Sequence, residues 1–241
     1  MLLPTMNDED KIFEAFRMTN ILCEIYDEYE EEMLEKFRKG TRFPYFQRIA
    51  YTDDKHNKWV LLRYMLDKKM RSKGYSYTQA YITYDVPRKR KEKDLNAGRG
   101  VLIFDPLAMK RRLDGDKTGR LVAVVDIVPH AFNRYTERYL EPLGRGNIEF
   151  ALKLESMLKR WQWFDIDADR NGDINAQKHA DGNLFPYDVI MRGGGMLRGQ
   201  LTHEMMLRFT TYVSPDMMYD NQIEQHERMR SEYFRLKRVK K

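Results

Sequence analysis

One histidine and two arginines fall at four-residue spacing in the run Pro129-His130-Ala131-Phe132-Asn133-Arg134-Tyr135-Thr136-Glu137-Arg138. On a helix, residues four apart are surface neighbours, about 5–6 Å between Cβ atoms, so His130, Arg134 and Arg138 share one flank. Guanidinium groups hold phosphate oxygens through charge-assisted hydrogen bonds, and an imidazole can exchange a proton near neutral pH. The flank is therefore a candidate phosphate site with a built-in base. Two plainer readings stand beside it: Glu137 pairs with one of the arginines, or the run is an ordinary charged helix face with His130 partly buried.

A second group of chemistry-bearing residues is Asp167-Ala168-Asp169-Arg170-Asn171-Gly172-Asp173-Ile174-Asn175. It resembles the calcium loop of an EF-hand, with oxygen ligands at alternating positions, glycine at the sixth and an apolar residue at the eighth. The resemblance implies Asp167, Asp169, Asn171 and Asp173 as calcium ligands. The twelfth position is Lys178, where such loops carry a bidentate carboxylate, so a ligand is lost and a positive charge is added. A polar surface loop is the competing reading, and no other cofactor is expected.

The pattern His130-Ala-x-x-Arg134-x-x-Glu137-Arg138 is followed by glycine-punctuated strand signals over 187–201 and then by Thr211-Tyr212-Val213-Ser214. Over roughly residues 128–223 this order resembles the barnase/EndoU/RelE-like superfamily of metal-independent ribonucleases found among bacterial toxins; the first 120 residues lie outside it. The resemblance implies a helix packed on a small antiparallel sheet. It also implies His130 as base or acid, Arg134 and Arg138 as phosphate clamps, and Thr211, Tyr212 or Ser214 as partners at the strand end. His203, read in a turn between strands, is a second acid–base candidate.

Charge distribution points to the same partner class. The net charge is +6, yet residues 1–35 hold eleven acids against Lys11 and Arg17, a net of −9 that leaves +15 for the rest. A basic body binds polyanions by displacing their counterions. Arg88, Lys89, Arg90, Lys91 and Lys93, with Arg235, Lys237 and Arg238 near the C-terminus, are candidate nucleic-acid contacts, RNA favoured. The acidic segment could lie across the basic face, be solvated, or meet a protein partner. Cys23 alone cannot form an internal disulfide, which suits a reducing compartment, and the cytoplasm is expected. No stretch approaches the roughly 20 apolar residues of a membrane span. Walker loops, dinucleotide-binding glycine triplets, paired-cysteine zinc sites and serine elbows are missing from the sequence.

The elements that must position these groups read as one α+β domain over 1–241: an acidic N-terminal helix (1–40), a core of mostly antiparallel strands packed by several helices (41–214), and a basic C-terminal helix (215–241). Apolar residues at three-and-four spacing predict a long helix over 7–38, capped by Asn7. An entry strand follows at 41–51. The segment from Trp59 to Met70 reads as a second helix, with a strand hairpin as its competitor. Strand signals run over 75–84, 101–104 and 121–128, separated by basic loops at 88–93 and 110–112. Pro129 launches a helix over 130–141. After Gly144 and Gly146 comes a helix over 147–164 with the stripe Ala151, Leu154, Leu158 and Trp161. A polar loop to 186 leads into strands at 187–192, 196–201 and 206–213, and Ser214-Pro215-Asp216 opens the last helix. Gly193, Gly194 and Gly195 supply the positive φ angles of a hairpin, with a phosphate cradle as the alternative.

Overall fold

A computed structural model of the chain describes residues 6–39, 42–73, 76–86, 98–115, 124–161, 185–202 and 206–220, with positions 223, 224, 227 and 231 after them. These residues form an α+β protein in which the strands between residues 45 and 104, and likewise those between 185 and 213, pair antiparallel with one another. They divide into two compact units: the first takes residues up to 86, 98–126 and Met206, and the second takes 127–161, 185–202 and 207 onward.

In the first unit, α1 (Asp8–Lys39) begins at a reciprocal cap, with Asp10 N–H donating to Asn7 Oδ1 at 2.8 Å and Asn7 N–H to Asp10 Oδ2 at 3.3 Å. Its apolar stripe buries Ala15, Met18, Leu22 and Tyr26 against β1 (Tyr45–Thr52), β2 (Lys58–Met65), β3 (Tyr77–Asp85) and β4 (Arg99–Phe104). The strands lie in the order β1-β2-β3-β4, with β5 (Val124–Ile127) next to β4. Trp59, Leu61, Ala80, Ile82, Leu102 and Phe104 carry the sheet side of this core. Burying aliphatic and aromatic side chains of this size contributes about 1.5–3 kcal/mol each.

In this unit two elements differ from their sequence expectation. The second helix read from Trp59 onward is the strand β2; only its basic end is helical, as α2 (Lys68–Ser72). β2 is buried on both faces from Leu61 to Met65, so its apolar residues run on without alternation. A run of that kind carries no period that separates strand from helix. The basic loop expected at 110–112 belongs to α3 (Pro106–Leu113), capped by Asp105, whose side chain accepts from Ala108 N at 2.9 Å. Pro106 at its first position reads as a helix start in retrospect.

The β1–β2 turn is fastened to α1 by an ionic knot. Asp53 accepts from Asn57 N and Nδ2, Trp59 Nε1 and Arg17 Nη2, and Arg17 also grips Glu14 and Asp54. Elsewhere in the unit, Lys11 Nζ donates to Asp126 Oδ2 at 2.7 Å and the Tyr84 hydroxyl donates to the other oxygen. Both ionic groups are nine-tenths buried or more. Separating them would leave an unpaired charge in the core, which costs about 3–5 kcal/mol.

The second unit contains α4 (Pro129–Tyr135), a π-helical turn (Thr136–Leu140), a 3-10 turn (Glu141–Leu143) and α5 (Phe150–Arg160). Gly144 stops the first run in the left-handed region, φ 69°. The strands are β6 (Phe185–Ile190), β7 (Met196–Leu201) and β8 (Met206–Val213), ordered β8-β7-β6. α4 and α5 meet through Phe132 stacked on Phe150 at 4.4 Å and through a hydrogen bond of 3.1 Å between Tyr135 and Ser156. Gly193, Gly194 and Gly195 all have positive φ (86°, 99° and 77°) and join β6 to β7, the hairpin role expected of them.

Candidate functional site

The site is built on the passage from β5 into α4. Val128 holds extended angles at the N-cap, and its N–H is taken by Phe209 O of β8 at 3.1 Å, so Pro129 at the first helical position leaves no donor stranded. The buried face of the helix is Ala131, Phe132, Tyr135, Thr136 and Leu140. His130 therefore projects into solvent, and among the described residues it has no hydrogen-bond or ion-pair partner. One turn on, Arg134 Nη1 lies 2.7 Å from Glu137 Oε2, with Arg134 half-buried and Glu137 exposed.

The helix then widens into a π-turn, the wider i→i+5 form that recurs at functional sites. Thr136 Oγ1 donates back to Phe132 O at 3.1 Å. Within the turn, Arg138 Nη1 donates to the backbone carbonyl of Tyr212 at 2.6 Å. This contact ties the flank carrying His130 and Arg134 to the last residues of β8.

β8 does not present its end as simple alternation would. A β-bulge opposite Arg198 and Gly199 leaves Thr210 as the extra residue, so Arg198 pairs with Thr211 and Gly199 with Phe209. Gly199 permits it, because a Cβ there would run into the Arg208 carbonyl. The extra residue flips the faces that follow. Tyr212 turns inward and is fully buried with Phe209, while Thr211 is left half-buried. The Tyr212 hydroxyl is sealed and, among the described residues, has no hydrogen-bond partner. Ser214 is also buried, and its carbonyl accepts from Met217 N at 3.0 Å at the 3-10 turn Pro215–Met217.

Of the six candidate catalytic residues, His130 and Arg134 lie on α4, and Arg138 lies in the π-turn that follows and reaches the strand end. Tyr212 is a core residue whose phenol no substrate can touch in this arrangement, and Arg138 spends one donor on a backbone carbonyl. Arg88, Lys89, Arg90, Lys91 and Lys93, the calcium-loop residues Asp167, Asp169, Asn171 and Asp173, and His203, Arg235, Lys237 and Arg238 lie outside the described residues.

The structure adds a residue that spacing did not pick out. Arg160, at the end of α5, is 94% buried and is surrounded by aromatic rings, its guanidinium carbon 3.4 Å from the Tyr139 centroid, 5.7 Å from Tyr135 and 6.0 Å from Tyr212. Nε donates to Arg192 O at 2.8 Å and Nη2 to Gly194 O at 2.6 Å. The cation thus holds the glycine turn against the helix pair. In the sequence it is one more base in a helical last turn, which ordinarily reads as solvated. Burial pushes the Tyr135 phenol up to about 12, with partial relief from Ser156 and Arg160, so it stays protonated at neutral pH.

No protein-family model, curated protein or solved structure matches this chain.

Proposed function

We propose that the protein interacts with nucleic acid in the cytoplasm, RNA foremost, and that its second unit cleaves RNA by proton transfer at His130. The observation that supports the reading is the contact of Arg138 with the Tyr212 carbonyl, which joins the helix that carries exposed His130 and half-buried Arg134 to the end of the strand that carries Thr211. In the step itself, His130 Nδ1 or Nε2 takes the proton of a ribose 2′-hydroxyl and its oxygen bonds to phosphorus. The P–O5′ bond breaks, the leaving oxygen takes a proton from water, and a 2′,3′-cyclic phosphate and a 5′-hydroxyl result. Arg134, turned from Glu137 to the phosphate, stabilises the charge gathered on the phosphoryl oxygens. Arg138 serves as a positioning residue, and Tyr212 acts through its backbone.

A second reading has support of its own: a non-catalytic interaction protein with a charge-polarised surface. The 2.7 Å ion pair that neutralises Arg134 favours it. In both readings the acidic α1 faces a protein partner, because its carboxylates repel a polyanion. Incubation of the chain with single-stranded and structured RNA in chelator, beside His130→Ala, decides between them. Loss of cleavage by about a hundredfold or more in the variant is expected. Cleavage that survives unchanged removes His130 from the chemistry, and RNA bound but never cut by the unaltered chain leaves the interaction protein.

A further inference from the structure

We propose that Tyr139 is a stacking platform for one base of a single-stranded RNA, with Arg138 and Arg192 beside it as contacts for the flanking phosphates. The inference rests on the RNA reading above and deepens it, because it names the part of the ligand that is held and the residue that holds it.

Tyr139 lies in the π-turn, and the Arg160 guanidinium covers one face of its ring, with the guanidinium carbon 3.4 Å from the ring centroid. Tyr135 meets the ring from the side: its centroid is 5.2 Å from that of Tyr139 and 5.7 Å from the Arg160 guanidinium carbon, so the three centres form nearly a right angle at Tyr139. Arg160 is itself buried, and the face it covers is therefore closed. Tyr139 is nonetheless only half-buried, and among the described residues it has no further ring, hydrogen-bond or ionic contact. The accessible part of its ring thus lies on the face and rim turned away from Arg160. A flat base laid there meets a ring already fixed from below and from the side, so little side-chain freedom is lost on stacking.

Charge around the ring selects an anionic chain. Among the described residues no carboxylate pairs with Arg138, Arg160 or Arg192. Arg138 precedes Tyr139 and spends one donor on Tyr212 O, which leaves the rest of its fork. Arg192 is exposed, and its backbone is bonded to Arg160 twice, from Arg192 N to Arg160 O at 2.6 Å and from Arg160 Nε to Arg192 O at 2.8 Å. These bonds set Arg192 at the border of the platform. Acids stand nearby: Glu137 is taken up by Arg134, Glu141 lies along Gly146, and Asp216 follows Pro215, which lies against Gly194. Three arginines against the two unpaired acids leave the patch positive. Tyr139 is roughly 12 Å along the helix axis from His130 at about 1.5 Å per residue, so the stacked base belongs to a neighbouring nucleotide and not to the ribose that His130 deprotonates.

The test uses the full chain and labelled decamers of 2′-O-methyl RNA, whose blocked 2′-oxygens cannot be activated for cleavage, read by fluorescence anisotropy. An adenine decamer should bind about tenfold more tightly than an abasic decamer of equal charge. Tyr139→Leu should remove that difference and leave the salt slope as it is, because no phosphate contact is lost. Tyr139→Phe and Tyr139→Trp should keep it. Arg192→Ala should instead weaken both decamers alike, and an unchanged affinity there removes Arg192 from the site. Should Tyr139→Leu fail to fold, the wild type still decides: photocrosslinking of a decamer carrying 5-iodouridine should place the adduct on Tyr139. The proposal is overturned by equal binding of the abasic decamer, which leaves a surface for anions only, by a difference that survives Tyr139→Leu, or by adducts that all map elsewhere. Binding of neither decamer by the wild type removes the RNA partner as well. Cleavage at His130 fails separately, in the comparison of the chain with His130→Ala on unmethylated RNA.

Discussion

Tyr212 separates a residue's sequence role from its packed role. A hydroxyl buried without a partner forfeits its bonds to water, a cost of about 1–3 kcal/mol. Tyr212→Phe should therefore leave stability unchanged or raise it by up to about 1 kcal/mol, read as the midpoint of urea unfolding. The same variant should keep whatever RNA cleavage the chain has, because only the backbone carbonyl of Tyr212 meets Arg138. A large loss of cleavage at unchanged stability would return the phenol to the chemistry.

At the scale of elements, two junctions carry testable weight. The glycine turn joining β6 to β7 cannot accept a side chain at Gly195, where φ is 77° and a Cβ would overlap the Tyr212 hydroxyl and lie 2.8 Å from Val213 O. Gly195→Ala should cost more than about 2 kcal/mol, combining left-handed strain with that overlap. Gly144→Ala is the control: φ is 69° but no atom lies within 4 Å of the new Cβ, so its cost should stay near about 1 kcal/mol. Equal costs in chemical denaturation would show that packing against Tyr212 contributes nothing.

The knot between α1 and the β1–β2 turn sets an acid limit. Burial works to raise the Asp53 carboxyl, but hydrogen bonds from Asn57, Trp59 and Arg17 outweigh it and bring the group down to about 2 from an ordinary 3.8. A carboxylate whose pKa is lower when folded contributes stability that is present above the unfolded value and is lost as pH falls through the folded one. For Asp53 that window is about pH 4 to 2, and the amount is about 2 kcal/mol. Glu14, which burial would raise but Arg17 and Lys55 hold down, adds to the same loss. Asp105 and Asp188 are pushed up by burial and act in the opposite sense. Stability of the wild type measured from pH 5 to 2 should fall more steeply than that of Asp53→Asn; parallel curves would take Asp53 out of the acid transition.

Over the whole molecule the governing quantity is the separation of charge, −9 over residues 1–35 and +15 over the remainder. The proposed RNA binding through the basic part should weaken log-linearly with salt, with a slope of about −0.7 for each phosphate neutralised on a single strand. Reversing Glu28 and Glu31 to lysine should leave that slope unchanged if α1 stays away from RNA. A steeper slope in the variant would put the helix in the nucleic-acid contact. No helix among the described residues is long and apolar enough to cross a membrane.

Much of this was legible from residue order, because it depends on local rules. The α+β class, the span of α1 with its Asn7 cap, β7 and β8, the helix start at Pro129 and the positive φ angles of the three glycines follow from periodicity, capping and steric freedom within a few residues. Spacing put His130, Arg134 and Arg138 on one helical run, and the π-turn that holds Arg138 was outside its reach. Tertiary structure decided what spacing could not express. β2 is a strand because both its faces are covered, and α3 replaces a loop because Asp105 and Pro106 start it. Tyr212 faces inward because one extra residue at Thr210 reverses the pleat, and Arg160 is a buried clamp because three tyrosines distant in sequence gather around it. Apart from α3, whose start signal is local, each of these depends on contacts between segments far apart along the chain, and such contacts leave no period in the sequence to read.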